Sequence, residues 1–428
     1  MDTVEYETNH RVTSKMTAAG TVCSAGAGEC DDEKKRMRIL ILRVTPNRVS
    51  TATYNLQEIG LAKALIRRGY SCDVAYYCGK EKDHEEWIHF DENKAVRIIW
   101  LHGYGFLKEG IYPSLQKYIN DYDIIQVGGY VNFVSFWLYH QARDKVVNYQ
   151  GPYYYVHNKT DRIKSLIFDH TILTPWQKKN MVVGTKSLLA TEYLKSKGIR
   201  DVTTIGVGLD LDNLSKQYQT ITEENEFVKR VSEQKKDKYL LYIGALEPRR
   251  NIMFLLEVFK KIIEKHPGYK LIIIGKGKEE YVKKCFDFID QMHLRDKILY
   301  QDKMEQKYLK DIYQVSDAFL LPTRYEIFGM VLLEAMYFGL PVFTSYNGGS
   351  SVLFDGNNGV MLREFSAEVW CERILNVIED DVLCKSMGEA ASKTIADHYT
   401  WDALADKFIR LYRKKLEASG NTKKNASL

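Results

Sequence analysis

The sequence predicts an α/β protein built from two Rossmann-like, doubly wound parallel-sheet domains that face a cleft. Three observations predict it. The chain has 428 residues, too many for one ordinary core, so two domains of roughly 150 to 200 residues are the natural division. Short, continuous apolar runs such as "RILILRV" and "KLIIIGK" have the character of parallel strands buried on both faces. Helix-length segments separate these runs, and repeated β-α units of that kind place helices on both faces of a parallel sheet.

Taken in order, residues 1–36 are polar, end in the charge run "DDEKKR" and lack an apolar stretch long enough for a signal peptide. They read as a disordered tail, with Met37 as an alternative start. The first domain, 37–214, offers the strand runs "RILILRV", "CDVAYY", "VRIIWL", "YDIIQV", "KVVNYQ" and "VTTIGVG", with its longest helix from Tyr54 to Arg68. The stretch Asp210 to Lys238 is rich in Glu, Lys, Gln and Ser and carries no strand pattern. It reads as a linker, centred on 215–238. The second domain, 239–400, is cleaner, with "YLLYIGA", "KLIIIGK", "KILYQD", "AFLLPT" and "LPVFTS" in turn. Residues 417–428 read as a second disordered tail.

Composition narrows the function. Hydrophobic residues are 45% and charged ones 27%, as in soluble globular chains, and no apolar run reaches the ~18 residues of a membrane span. The seven cysteines, at 23, 30, 72, 78, 285, 371 and 384, form no CxxC pair. That argues against a zinc site or a disulfide framework and suits a reducing cytoplasm. The net charge of +5 lies mostly in residues 37–214. A basic first half suits a phosphate-bearing substrate or peripheral contact with an anionic inner membrane face, and equally ordinary solvated lysines. No basic stripe interleaved with aromatics favours nucleic acid.

Folds of this class bind ligands at the carboxyl ends of their strands, and the unusual residues gather there, in "VTPNRVSTAT", "YIGALEPRRN" and "LPTRYEIFG". Arg249 and Arg250 follow Pro248 at the expected start of a helix, where positive charge opposes the helix dipole and calls for an anion. Two guanidiniums and free backbone N–H groups form a diphosphate-sized receptor; a solvated pair in surface ion pairs is the alternative. In "EIFGMVLLE", Gly329 permits close backbone approach, and the N–H groups of Met330 and Val331 open the next helix toward an anion. Glu334 is the only charge in that apolar helix and suits the two hydroxyls of a ribose. Glu326, about 12 Å away if both were helical, suits hydroxyls beyond the phosphates. Alternatively each acid pairs with a nearby cation, Arg324 being the obvious one.

"GALEPRRN", "LPTRYEIFGMVLLEAMYFGLPVFTS" and "NGG" resemble the donor-binding signatures of retaining glycosyltransferases of the GT-B fold, more narrowly the family numbered 4 (glycosyltransferase group 1). "VGLD", Val207 to Asp210, resembles that family's end-of-domain turn, and "YTWDALADKFIRLY" its last helix. The resemblance spans roughly 37–416 and is strongest from 239 to 362. It implies a hexosyltransferase that moves a sugar from a UDP- or GDP-linked donor to a hydroxyl of a glycan or lipid-linked glycan, as in polysaccharide biosynthesis. Retention of configuration, no metal and no cofactor beyond the nucleotide-sugar co-substrate are further implications. Residues 401–416 would cross back to the first domain. Glu334 would hold the ribose; Phe328, Gly329, Met330 and Val331 would face the diphosphate and sugar. Glu326 would meet sugar hydroxyls, and Arg249 and Arg250 would neutralise the leaving diphosphate.

The sequence departs from the family at Ala245, where an arginine is usual, and at Arg250, where a lysine is usual. Ser50 and Thr51, in "STAT", replace a glycine pair; Gln150–Gly151 replaces a His-Gly, and a glutamine cannot act as a base. Ser350 and Ser351 stand near a usual acid. A GT-B phosphorylase or epimerase, and a donor-binding subunit without catalysis, are the rival readings.

Overall fold

The computed structural model describes residues 37–51, 55–106, 109–154, 159–219, 224–233 and 237–426, with the side chains of 159–161 and 421–426 left aside. The expected tail 1–36 lies outside the described residues, as do Ala52 and Thr53 of "STAT".

Two sheets organise the chain. The first runs β10-β9-β8-β7-β1-β2-β4-β3, built from β1 (Arg38–Leu42), β2 (Ser71–Gly79), β3 (His84–Asp91), β4 (Lys94–His102), β7 (Ile124–Val127), β8 (Val146–Gln150), β9 (Val182–Thr185) and β10 (Asp201–Thr204). Strands β5 (Tyr104–Phe106) and β6 (Glu109–Ile111) make a separate two-stranded ladder. The second sheet runs β13-β12-β11-β14-β15-β16, from β11 (Lys238–Ile243), β12 (Tyr269–Ile274), β13 (Ile298–Gln301), β14 (Ala318–Leu321), β15 (Val342–Ser345) and β16 (Val360–Leu362). In both, the central strands are buried on both faces, which is why they read as unbroken apolar runs: Ile39 and Leu40, like Leu240 and Leu241, are fully enclosed. In each sheet the strand order reverses beside its first strand, the place where folds of this kind bind ligands at the carboxyl ends.

Several expectations are corrected. The helix expected from Tyr54 starts at Gln57 and ends at Arg67, because Asn55 takes a left-handed φ of 51° that a helix excludes. The presumed linker holds two helices, Leu211–Gln219 and Glu226–Glu233, whose Leu214, Phe227 and Val231 are buried. The expected tail 417–428 instead continues the helix Trp401–Ala426. Strand β3 is antiparallel to β4 at the sheet edge, and its exposed–intermediate alternation hid it from a search for apolar runs.

The helix Trp401–Ala426 lies against the first sheet. Phe408 and Tyr412 are fully buried there, with the Tyr412 hydroxyl donating to Gln126 Oε1 at 2.7 Å and the Phe408 ring 5.1 Å from that of Tyr149. Trp401 fills a notch left by Gly60, where a Cβ would overlap the indole. The chain passes between the sheets twice, near Asp210 and near Thr400, and the passages are joined. Leu209 N–H donates to Tyr399 O at 2.8 Å, Leu209 and Thr400 form a parallel bridge, and Lys63 and Asp210 make a buried ion pair at 3.0 Å. Among the described residues no helix is long and apolar enough to cross a membrane.

Candidate active site

The loop after β14 carries most of the expected site. Gly329 caps the helix Met330–Tyr337 with φ 82°, a conformation that favours glycine. Behind it, a Cβ on Gly348 or Gly349 would collide with the carbonyl oxygens of Ile327 or Phe328. The "NGG" loop therefore holds "EIFG" by backbone contact, and Gly348 N–H donates to Glu326 O at 2.9 Å. Asn347 Oδ1 accepts from the N–H groups of Gly349 and Ser350 at 3.0 and 3.2 Å. Ser350 is buried and its hydroxyl donates to Ser345 O at 3.0 Å, while that of Ser351 donates to Gly348 O at 2.7 Å. These serines shape the loop.

Arg249 and Arg250 lie on a short 3₁₀ turn, Pro248–Arg250, before the helix Ile252–Lys265. Asn251, with φ 60°, turns the chain between the two. The anion that opposing helix dipole called for is partly supplied by the protein. Arg250 Nη1 is ion-paired with Glu326, Arg249 Nε with Glu247 at 2.8 Å, and Arg249 Nη1 stands 4.0 Å from Glu326. Arg249 Nη1 also donates to Tyr325 O at 3.2 Å. Arg324 is ion-paired with neither Glu326 nor Glu334: its guanidinium lies 5.6 Å over the ring of Phe365.

Two guanidiniums and two carboxylates cancel formally, so the capacity of this cluster for an anion rests on unused donors. Arg250 Nε and Asn251 Nδ2 are buried with no partner among the described residues, and so is Gln306 Nε2. All three are N–H donors, and a buried donor left unmade costs about 1–3 kcal/mol. Gln306 opens the helix Gln306–Val315, whose Tyr313 hydroxyl donates to Glu334 Oε2 at 2.9 Å. Glu334 is buried, and a carboxylate accepts several hydrogen bonds.

The first domain meets this loop closely. A Cβ on Gly151 would sit 2.9 Å from Ile327 Cγ2 and 3.2 Å from Lys186 Cδ. Gln150 is fully buried and its Nε2 donates to Pro152 O at 2.7 Å. The Tyr153 hydroxyl donates to Glu326 O at 3.4 Å, and the rings of Tyr153 and Tyr154 stand 4.7 and 4.6 Å from that of Tyr325. Burial pushes the Tyr325 hydroxyl up to about 12. Thr51 is not brought together with these residues. Its hydroxyl donates to Glu86 Oε1 on the edge strand β3, at 2.9 Å. Ser50 beside it is exposed.

Several residues escaped the sequence reading. Asn55 Nδ2 and Gln57 Nε2 reach Met330 Sδ across the cleft, at 3.9 and 3.8 Å. A cavity of 460 Å³ opens on the first-domain side, lined by Arg43, Gln57, Glu58, Gln126, Tyr149 and Lys186 among others. Lys186 directly follows β9 in "VVGTKS", and the rule that ligands gather at strand ends points to it. Among the described residues no three His, Cys, Asp or Glu side chains are grouped so as to hold a metal ion.

Residues 223–394 match the family model described as "Glycosyl transferases group 1". An uncharacterised glycosyltransferase of Methanocaldococcus jannaschii is 28% identical over 200 residues, 46% of this chain and 50% of that one. The N-acetyl-alpha-D-glucosaminyl L-malate synthase of Bacillus anthracis is 24% identical over 48% of this chain and 55% of its own. The chain thus spans about half the length of these relatives. Over more of its length, 76% here and 91% there, it is 23% identical to the lipopolysaccharide 1,2-N-acetylglucosaminetransferase of Salmonella typhimurium.

The fold is that of sucrose-phosphate synthase from Thermosynechococcus elongatus, with a TM-score of 0.64, 17% identity, and coverage of 89% of this chain and 100% of that one. Anabaena HepE in complex with UDP gives a TM-score of 0.64 at 17% identity, over 87% and 99%. The two Rossmann-like domains, expected from the β-α alternation, form the GT-B fold that the resemblance implied.

Proposed function

We propose that the protein is a retaining hexosyltransferase, moving a hexosyl unit from a UDP- or GDP-linked sugar to a hydroxyl of a glycan or lipid-linked glycan without a metal. One arrangement carries the reading. Within the region that matches the group 1 glycosyl transferases, two acids flank the left-handed Gly329 turn, and buried N–H donors of Arg250, Asn251 and Gln306 lack partners among the described residues. A nucleotide sugar is a ribose, a diphosphate and a hexose in line. Glu334 holds the ribose, with Tyr313 fixing one of its oxygens. The turn Phe328–Gly329–Met330–Val331 faces the diphosphate.

Glu326 meets the sugar hydroxyls while keeping Arg250 oriented. As the glycosidic bond breaks, charge grows on the leaving diphosphate, and Arg249, Arg250 and the N-terminus of the helix Met330–Tyr337 stabilise it. The departing phosphate oxygen takes the proton of the acceptor hydroxyl on the same face, since Gln150 cannot serve as a base. The acceptor approaches from the first domain, beside Gly151 and Lys186. Domain closure on the donor brings the two sides together.

The test is a panel of UDP- and GDP-sugars with the purified chain. Release of nucleoside diphosphate, abolished in Arg249→Ala/Arg250→Ala, supports transfer, and Glu334→Ala weakens nucleotide binding about 10-fold or more. Undiminished turnover in the double variant would refute the phosphate assignment. Nucleotide binding without any turnover points to a donor-binding subunit, and a product other than a new glycoside points to a phosphorylase or epimerase.

A further inference from the structure

The 460 Å³ cavity on the first-domain side lies within the range of small-molecule sites. Its charged lining is Arg43, Lys186 and Glu58. The carboxylate of Glu58 is already engaged: the Tyr76 hydroxyl donates to it at 3.3 Å, and Arg43 Nη1 lies 3.7 Å from it. The Gln126 carboxamide oxygen is taken by Tyr412. Lys186 is different. Its ammonium donates to the neutral Gln57 Oε1 at 2.8 Å and lies 5.1 Å over the ring of Tyr149. No carboxylate among the described residues comes within ion-pair distance of it.

The protein packed around Lys186 lowers its pKa; Glu58 raises it and Arg43 lowers it further. A cation turned to a cavity with no carboxylate in ion-pair contact is costly unless the ligand brings one. The position fixes which end of the cleft this serves. Lys186 Cδ borders Gly151, which packs on Ile327 of the donor-side loop. Gln57, its hydrogen-bond partner, also reaches Met330.

We propose that Lys186, supported by Arg43, is a specificity residue for an acceptor that carries an anionic group, a carboxylate or a phosphate, close to its reacting hydroxyl. The inference rests on the transfer reading above, because only that reading makes this side of the cleft the acceptor side. The anion completes the hydrogen bonding of the ammonium, and a neutral sugar leaves it unpaired.

The experiment measures binding of glucose, glucuronic acid and glucose 6-phosphate to the full chain by calorimetry, with UDP titrated separately. At least one anionic sugar binds about tenfold or more tighter than glucose, the preference shrinks with added salt, and whichever of the two binds tighter names the anion. Lys186→Met abolishes the preference and Lys186→Arg retains most of it; Arg43→Gln, a second variant at the cavity mouth, reduces it. Equal binding of the three sugars, no binding of any, or a preference that survives Lys186→Met overturns the proposal. UDP binding reads the donor side independently. An anion preference in a chain that binds no nucleotide refutes the transfer reading and leaves the anion site standing.

Discussion

The Arg250–Glu326 pair gives the sharpest test of how the candidate site is held. Its side chains are 14% and 11% exposed, so replacing Arg250 with Met strands a carboxylate in a largely dry place. Breaking a buried pair from one side costs about 3–5 kcal/mol. Arg249 Nη1, 4.0 Å from the same carboxylate, offers a substitute partner, which lowers the expected cost below that range, to about 2–3 kcal/mol. For a unit of about 150–250 residues each kcal/mol moves Tm by about 2–4 °C, so Arg250→Met should melt about 4–12 °C lower.

Glu326→Gln on the Arg250→Met background removes the stranded charge and recovers much of that loss. Calorimetric melting of wild type, both single variants and the double variant closes the cycle. Additivity within about 0.3–0.5 kcal/mol would refute the pairing as an energetic unit. The same set separates holding from binding. Glu326→Gln frees Arg250 from its internal acid, so UDP affinity holds or rises while turnover of a UDP-sugar falls.

Two further predictions concern the scaffold. A Gly→Ala change inside a helix ordinarily stabilises by about 0.5–1 kcal/mol, yet Gly60→Ala should destabilise by more than 1 kcal/mol, because its Cβ overlaps Trp401; chemical denaturation decides the sign. Burial of Lys415, with Arg143 adding to it and Asp144 opposing, pushes its pKa down to about 8, below the ~10.4 of an exposed lysine. Between those values the unfolded chain binds more protons, so stability climbs as pH rises from about 8 toward 10, by up to about 1.4 kcal/mol per unit; Lys415→Met should flatten that slope, and an unchanged slope refutes the assignment.

Much of the fold is legible because buried parallel strands must be apolar on both faces. "YLLYIGA" and "KLIIIGK" could scarcely be anything else. What escaped obeys another logic. Strand β3, "HEEWIHFD", pairs on one side only and exposes every second residue. The helices in the presumed linker bury a narrow stripe, Leu214, Phe227 and Val231, amid polar residues that masked it. In the site, the acids and arginines are conspicuous locally, but the Arg250–Glu326 pair joins residues 76 positions apart, and no local pattern announces it. Tyr313 under Glu334 and Lys186 at the cavity are ordinary in type and become special through neighbours that only the folded chain supplies.

The return of the helix Trp401–Ala426 to the first sheet has a consequence for how the chain is made. Phe408 and Tyr412, packed under β8 and β7 through Tyr149 and Gln126, leave the ribosome only after the whole of the second sheet, whereas the core they complete begins at β1. The domain synthesised first must wait, with part of its apolar interior uncovered, until the domain synthesised second has been made in full. Nascent chains of this protein therefore pass through an interval in which the first domain exposes apolar surface of the kind that chaperones bind. A stop codon near position 400 would leave it there for good.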